Sequence, residues 1–273
     1  MAEQETENRP GGSGGVGASD SGRGESVKST VYETVVIVVQ AVLIALVFRA
    51  LLFHPFSIPS GSMKPTLLVG DYLFVSKFSY GYSRYSFPGD WSFIDGRIWA
   101  GEPERGDVAV FRPPNKPGTD FIKRVIGLPG DQIRVREGVL FINGQPVKRE
   151  PAGEFVDESG FGQPIVVKQY RETLGNGVSY ITLDQRENTA GDNTDLFVVP
   201  PGHYFMMGDN RDNSSDSRFG FGDSNDPNDN YVPAENLIGR AEVTFFSVEE
   251  GSRAWEFWKW PWTLRFSRFF DGL

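Results

Sequence analysis

From Val35 to Phe53 the chain reads VVIVVQAVLIALVFRALLF, interrupted only by Gln40 and Arg49. That length is close to the ~20 residues a helix needs to cross a hydrocarbon core. Apolar side chains on every face commit the segment to a helix that a soluble core rarely covers. A cleaved signal peptide fits poorly, because His54-Pro55-Phe56 follows with no small-x-small site and a long polar stretch precedes. Arg49 sits near one end, where its long stem can carry the charge to the interface. The expectation is one transmembrane helix over 31–53. Residues 1–30, polar and glycine-rich between Gly11 and Gly17, bury too little to order and are expected to be disordered. Orientation stays open on charge alone, since Arg23 and Lys28 before the span are matched by Lys64 and Lys77 after it.

Beyond Phe53 the pattern changes to short runs of β-branched and aromatic residues between turns. Asp71–Lys77, Asp107–Phe111, Phe121–Ile126, His203–Met207 and Glu242–Val248 read as strands. Asn143-Gly144 between two apolar runs predicts a tight hairpin. The stretch 131–200 is more polar and loop-rich, as an inserted smaller β subdomain would be, splitting a β core of 54–130 and 201–250. The fold class expected is therefore mainly β behind a single N-terminal helix.

Composition removes several chemistries. With no cysteine there is no disulfide, thiolate metal site or cysteine nucleophile, and two histidines, His54 and His203, make a multi-histidine metal centre improbable. A formal charge of −9 argues against nucleic acid as a partner. Ser60 and Ser62 lie in Ile58-Pro59-Ser60-Gly61-Ser62-Met63-Lys64-Pro65, which its prolines and glycine hold out of helix. Neither histidine has the surroundings of a base for such a serine, which leaves lysine. In a strand over 121–126, Lys123 shares a face with Phe121 and Val125, and desolvation there lowers an ammonium pKa. Lys64 is an alternative base, but it precedes a proline and lacks apolar flanks. The acids and arginines of Gly208–Arg218 compete for one another, which suits an internal network better than a calcium site.

Taken in order, IPSGSMKPTLLVGDYLFVSK, GDVAVF, FIKRVIGLPGD and GDNRDNSSDSR behind an apolar anchor closely resemble the boxes of bacterial type I signal peptidases, over roughly residues 53 to 247. The resemblance implies an antiparallel β domain that removes signal peptides from exported preproteins after small residues at −1 and −3, with no cofactor or metal. It implies Ser62 as nucleophile and Lys123 as general base, with Ser60 and the Ser62 N–H as the oxyanion hole. Ser214 is the hydroxyl that orients the lysine. Arg124, Asp209, Arg211, Asp216 and Arg218 fall on a structural network, and Phe56, Ile58, Met63, Leu67, Leu73 and Ile122 on the substrate pockets. The family's topology implies the bacterial cytoplasmic membrane, with the N-terminus inside and the catalytic domain on the outer side.

The chain departs from the family pattern in an acidic stretch over 219–230, expected as a solvated rim loop. Three rival readings stand beside it: a self-cleaving Ser/Lys repressor-type peptidase, which would carry a DNA-binding domain; a penicillin-binding enzyme, excluded because Pro65 stands where Ser-x-x-Lys needs lysine; and an inactive membrane-anchored module that binds exported chains. Last, residues 253–270 hold eight aromatics, including four of the six tryptophans, with Arg253, Lys259, Arg265 and Arg268. Tryptophan beside basic residues is the composition of a membrane interface. The tail 251–273 is expected to rest on the bilayer, against the alternative of a final strand packed on the core.

Overall fold

The computed structural model describes residues 21–87, 96–116, 118–157, 163–221 and 227–273. The chain divides into two units, one ending at Leu46 and the other running from Val47 to Leu273. Helix α1, Ser21–Leu51, contains the apolar stretch Thr30–Arg49, twenty residues whose side chains are exposed all round. At 1.5 Å per residue that stretch is about 30 Å long, the thickness of a hydrocarbon core. Disorder as far as residue 30 is not what the structure has. The helix already begins at Ser21, because extending an existing helix through residues such as Val27 and Lys28 is far easier than nucleating one. Residues 1–20 of the expected disordered tail lie outside the described residues.

In the second unit, every pairing between the described strands is antiparallel. Its strands are β1 Phe53–Ser57, β2 Asp71–Ser76, β3 Val108–Phe111, β4 Phe121–Gly127, β5 Gln132–Arg136, β6 Val139–Ile142, β7 Gln145–Pro146 and β8 Lys148–Asp157. They continue as β9 Ile165–Thr173, β10 Ser179–Asp184, β11 Phe197–Val198, β12 His203–Met207, β13 Val232–Pro233, β14 Leu237–Ser247 and β15 Asp271–Gly272. The main sheet runs β1-β2-β14-β3-β4-β12-β13, with β15 on β14. Between β4 and β12, which are paired neighbours, the chain leaves to form two small sheets, β11-β5-β6-β7 and β10-β9-β8. The insertion is thus threaded between two adjacent strands of the core. At the β6–β7 turn Asn143 and Gly144 both have positive φ, the conformation that a two-residue hairpin with right-handed strand twist requires and that Asn-Gly tolerates best.

Alternation decides what each strand contributes. In β5 and β6, Ile133, Val135 and Leu140 turn inward onto Ile126, Val199 and Phe205, while Gln132 and Arg136 face out. Strand β4 lies in mid-sheet and, from Ile122 on, is buried on both faces. Lys123 and Arg124 are consequently both desolvated, pointing to opposite sides. The stretch 219–230 corrects the expectation of a solvated loop at its described ends. Phe221 is buried edge-on against Phe111 and Phe121, and Asp229 is buried with Asn115 as a hydrogen-bond donor. Residues 222–226, which hold the rest of that loop, lie outside the described residues.

Candidate active site

The serine segment between β1 and β2 contains a single 3-10 turn, Gly61–Met63, and the loop after β12 holds it in place. The Asn210 side chain donates to Gly61 O at 3.0 Å, and its backbone N–H donates to Ser62 O at 3.1 Å. The approach is close enough to demand glycine at 208, where a Cβ would stand 2.6 Å from Ser62 O and 2.2 Å from Ser214 Oγ. Ser62 is buried, with its Oγ 3.4 Å from that of the exposed Ser60 and 2.6 Å from Lys123 Nζ. The Lys123 ammonium position also lies 3.0 Å from Ile122 O and 5.4 Å from the centre of the Phe121 ring. Burial pushes the Lys123 pKa down to about 8, against the opposing pull of Asp216 and Asp209. The same lysine in water, near 10.5, would be protonated almost throughout the physiological range.

Lys123 faces the serine because its neighbour Arg124 faces the other way, donating to both Asp209 oxygens at 2.9 and 2.6 Å and to Gly106 O at 2.7 Å. Thr66, four residues after the serine, donates its hydroxyl to the same carboxylate at 2.6 Å. Arg218 forks onto Asp216, both bonds 2.9 Å, and reaches Arg211 O at 2.6 Å. Asp216 accepts also from Gly208 N–H. Burial works to raise the Asp216 carboxyl, but Arg218 and that N–H win and hold it below the usual carboxylate range. All five residues assigned to the network by resemblance therefore lie in it. Its remaining counter-ion was not legible in the sequence. Arg211 is gripped by Glu172 of β9, at 2.8 and 2.5 Å, and Tyr180 of β10 donates to the same glutamate while stacking on Arg124 at 4.2 Å.

Three other expectations meet the structure differently. Ser214 is buried, but its hydroxyl makes no hydrogen bond of good geometry, to Lys123 or to another group, and its influence is on Asp216. Of the six residues expected to line the substrate pockets, Met63, Leu67 and Leu73 are 0 % exposed, packed with Val75, Val108 and Ile238. They lie inside the core and present no surface of their own; Ile58 and Ile122 keep slight exposure and Phe56 is half-buried. Lys64, the alternative base, folds back along Gly61 and forms a buried ion pair with Asp157 at the end of β8, 2.8 Å away, with Glu250 at 3.8 Å. The histidines are elsewhere: His54 pairs with Val75 in the β1–β2 register, and the His203 ring meets Pro201 O. Among the described residues no cluster of acids and histidines has the make-up of a metal site.

A family model described as signal peptidase, peptidase S26, matches residues 31–246. The signal peptidase I of Rickettsia typhi is 44 % identical over 220 residues, covering 76 % of this chain and 77 % of that protein. Those of Rickettsia conorii and Rickettsia prowazekii are each 43 % identical over the same length and coverage. A solved signal peptidase I from Enterococcus faecalis aligns at 26 % identity and a TM-score of 0.27, covering 51 % of this chain and 96 % of its own. By the extent of the family match and the identity to these relatives, the chain belongs to the signal peptidase (peptidase S26) family.

Proposed function

We propose that this family member is a membrane-anchored endopeptidase that cuts signal peptides from exported preproteins, with Ser62 as nucleophile and neutral Lys123 as general base. The observation that carries the reading is the 2.6 Å separation of Lys123 Nζ and Ser62 Oγ inside an apolar, braced site. Neutral Lys123 takes the Ser62 proton as Oγ bonds to the scissile carbonyl carbon, and the carbonyl π pair moves onto oxygen. The Ser60 hydroxyl and the Ser62 N–H donate to that oxyanion. Lys123 then passes its proton to the departing amine as the C–N bond breaks, leaving an ester on Ser62. Water, deprotonated by the same amine, hydrolyses the ester and releases the signal peptide.

Specificity for small residues at −1 and −3 is part of the proposal; of the residues assigned to its pockets, Phe56, Ile58 and Ile122 keep some exposure, with Met63, Leu67 and Leu73 packed in the core beside Ile58 and Ile122. Ser214, buried against Gly208, is the hydroxyl proposed to orient the lysine amine in this scheme. The N-terminus lies in the cytoplasm and the β unit on the outer face of the bacterial cytoplasmic membrane. There the exposed aromatics of the tail, Trp255, Trp258 and Trp262 among them, rest on the bilayer. The test is a preprotein with an Ala-x-Ala site. The full chain in detergent should release the mature protein, and Ser62→Ala should not. Processing by Ser62→Ala, or none by the unaltered chain, overturns the reading. The latter result would support the module that only binds exported chains.

A further inference from the structure

Behind the serine segment, the loop Thr66–Asp71 turns back into β2 around one carboxylate. Asp71 is 0 % exposed and accepts from Leu68 N–H at 2.8 Å and the Ser247 hydroxyl at 2.7 Å. Its charge is met from the C-terminal tail. Arg268 donates Nε to both oxygens at 3.1 Å and a terminal nitrogen at 2.7 Å, and Arg265 adds a contact at 3.3 Å. Both arginines also hold the loop's backbone, Arg268 donating to Thr66 O at 2.9 Å and Arg265 to Val69 O at 2.7 Å. The tail itself is fixed to β14: Arg265 N–H bonds Ser247 O, Phe270 N–H bonds Thr244 O, and β15 pairs with Val243 and Thr244.

Two of the four tail cations that composition assigns to a membrane surface are thus turned inward, with side chains only 22 % and 16 % exposed. Meanwhile Trp255, Trp258, Trp262, Phe266 and Phe270 stay more than half exposed. The tail has two faces of different chemistry. Thr66 connects the inward face to the site. Its carbonyl is held by Arg268 and its hydroxyl by Asp209, which in turn is held by Arg124, the neighbour of Lys123.

We infer that Arg268 is a positioning residue for the proposed reaction: with Arg265 it clamps the Thr66–Asp71 loop, fixing the backbone that presents Ser62 to Lys123. The clamp lies in residues 265–268, beyond the part of the chain that the family model matches. A guanidinium is suited to the task because its rigid planar fork meets both Asp71 oxygens while its terminal nitrogen also donates to Thr66 O, a fixed geometry that the flexible point charge of an ammonium does not reproduce. The role rests on the proposed Ser62–Lys123 chemistry for its kinetic consequence, but not for its structural one.

The experiment compares the full chain, Arg268→Ala and Arg268→Lys in detergent micelles, reading cleavage of a short Ala-x-Ala peptide and amide hydrogen exchange. Displacement of a reacting atom by about 1 Å is worth on the order of 100-fold in rate, so Arg268→Ala is expected to lose ~10- to 100-fold in kcat. Arg268→Lys keeps a countercharge for Asp71 but not the bridge, and is expected to lose at least ~5-fold, with KM within about twofold in both variants. The amides of Leu67, Gly70 and Asp71 should exchange about tenfold faster while the rest of the sheet is unchanged. If Arg268→Ala fails to fold, Arg268→Lys decides. Wild-type kcat in Arg268→Lys, or unchanged protection of those amides, overturns the clamp. If the unaltered chain does not cut the peptide, the proposed function fails, and the exchange measurement still decides the clamp.

Discussion

Replacing Lys123 by Met should make the protein's stability respond to pH in a way that reports the buried amine directly, without reference to activity. In the unfolded chain the lysine titrates near 10.5; folded, burial lowers it to about 8. The folded state therefore binds fewer protons than the unfolded one between those values, and stability rises with pH as the unfolded-state proton is lost. Below pH 8 the full penalty applies: about 2.5 pKa units at 1.36 kcal/mol each, or roughly 3 kcal/mol. It shrinks as pH rises and is below about 1 kcal/mol by pH 10. Methionine carries no such penalty at any pH. It forfeits the contacts to Ser62 and Ile122 O, about 1 kcal/mol each, at every pH alike. The stability of Lys123→Met relative to the unaltered chain should thus fall by about 2.5 kcal/mol from pH 7 to pH 10, with other titrations cancelling in the difference. For a β unit of this size, that is a change of roughly 5–10 °C in the Tm gap, readable by scanning calorimetry in micelles. A gap that is flat from pH 7 to pH 10 would show that Lys123 keeps its ordinary pKa, and the argument for a neutral base would go with it.

The same amine must be neutral to act, so log kcat/KM should climb with unit slope up to about pH 8 and then level off; a profile flat from pH 5 to 9 with chemistry rate-limiting would sink the lysine mechanism. Lys64→Ala, harmless if the lysine were a surface group, instead removes a buried counter-ion of Asp157 and should cost about 3 kcal/mol. Lys64→Met with Asp157→Leu should recover most of that loss, and a Lys64→Ala protein as stable as the unaltered chain would refute the pairing. Replacing Trp255, Trp258 and Trp262 together by Ser, in a chain lacking residues 1–46, should weaken sedimentation with anionic vesicles at least ~10-fold at about 1–2 kcal/mol per interfacial ring, while Tm moves little. Undiminished binding would return the tail to a purely structural role.

What the sequence disclosed follows from the range over which its signals act. Ser62 and Lys123 were found because each lies in a motif whose order along the chain is itself informative. The Asn143-Gly144 turn was legible because two neighbouring residues determine it. Glu172 was not, since nothing at position 172 marks a glutamate that will meet an arginine 39 residues later across a subdomain boundary. The pairing of Lys64 with Asp157 spans 93 residues and is hidden for the same reason. Residues 253–270 show the converse error. Composition counted four cations on one surface, whereas a single acid far upstream, Asp71, draws two of them inside. Resemblance likewise assigned Met63, Leu67 and Leu73 to the substrate pockets, but a motif position does not distinguish a wall from a foundation.

The grip of Glu172 on Arg211 has a consequence for how such chains diverge. The insertion between β4 and β12 holds none of the motif boxes beyond Asp131, so it is a region in which a lineage would be expected to change length and sequence freely. Yet one of its side chains neutralises a guanidinium that is only 7 % exposed, in the loop after β12 that holds the serine segment. Chimeras that exchange this segment between relatives should therefore fold only when donor and recipient agree at both ends of the pair. Drift in the insertion is bounded at that point, and at Tyr180 beside it, however loosely the rest of its surface is constrained.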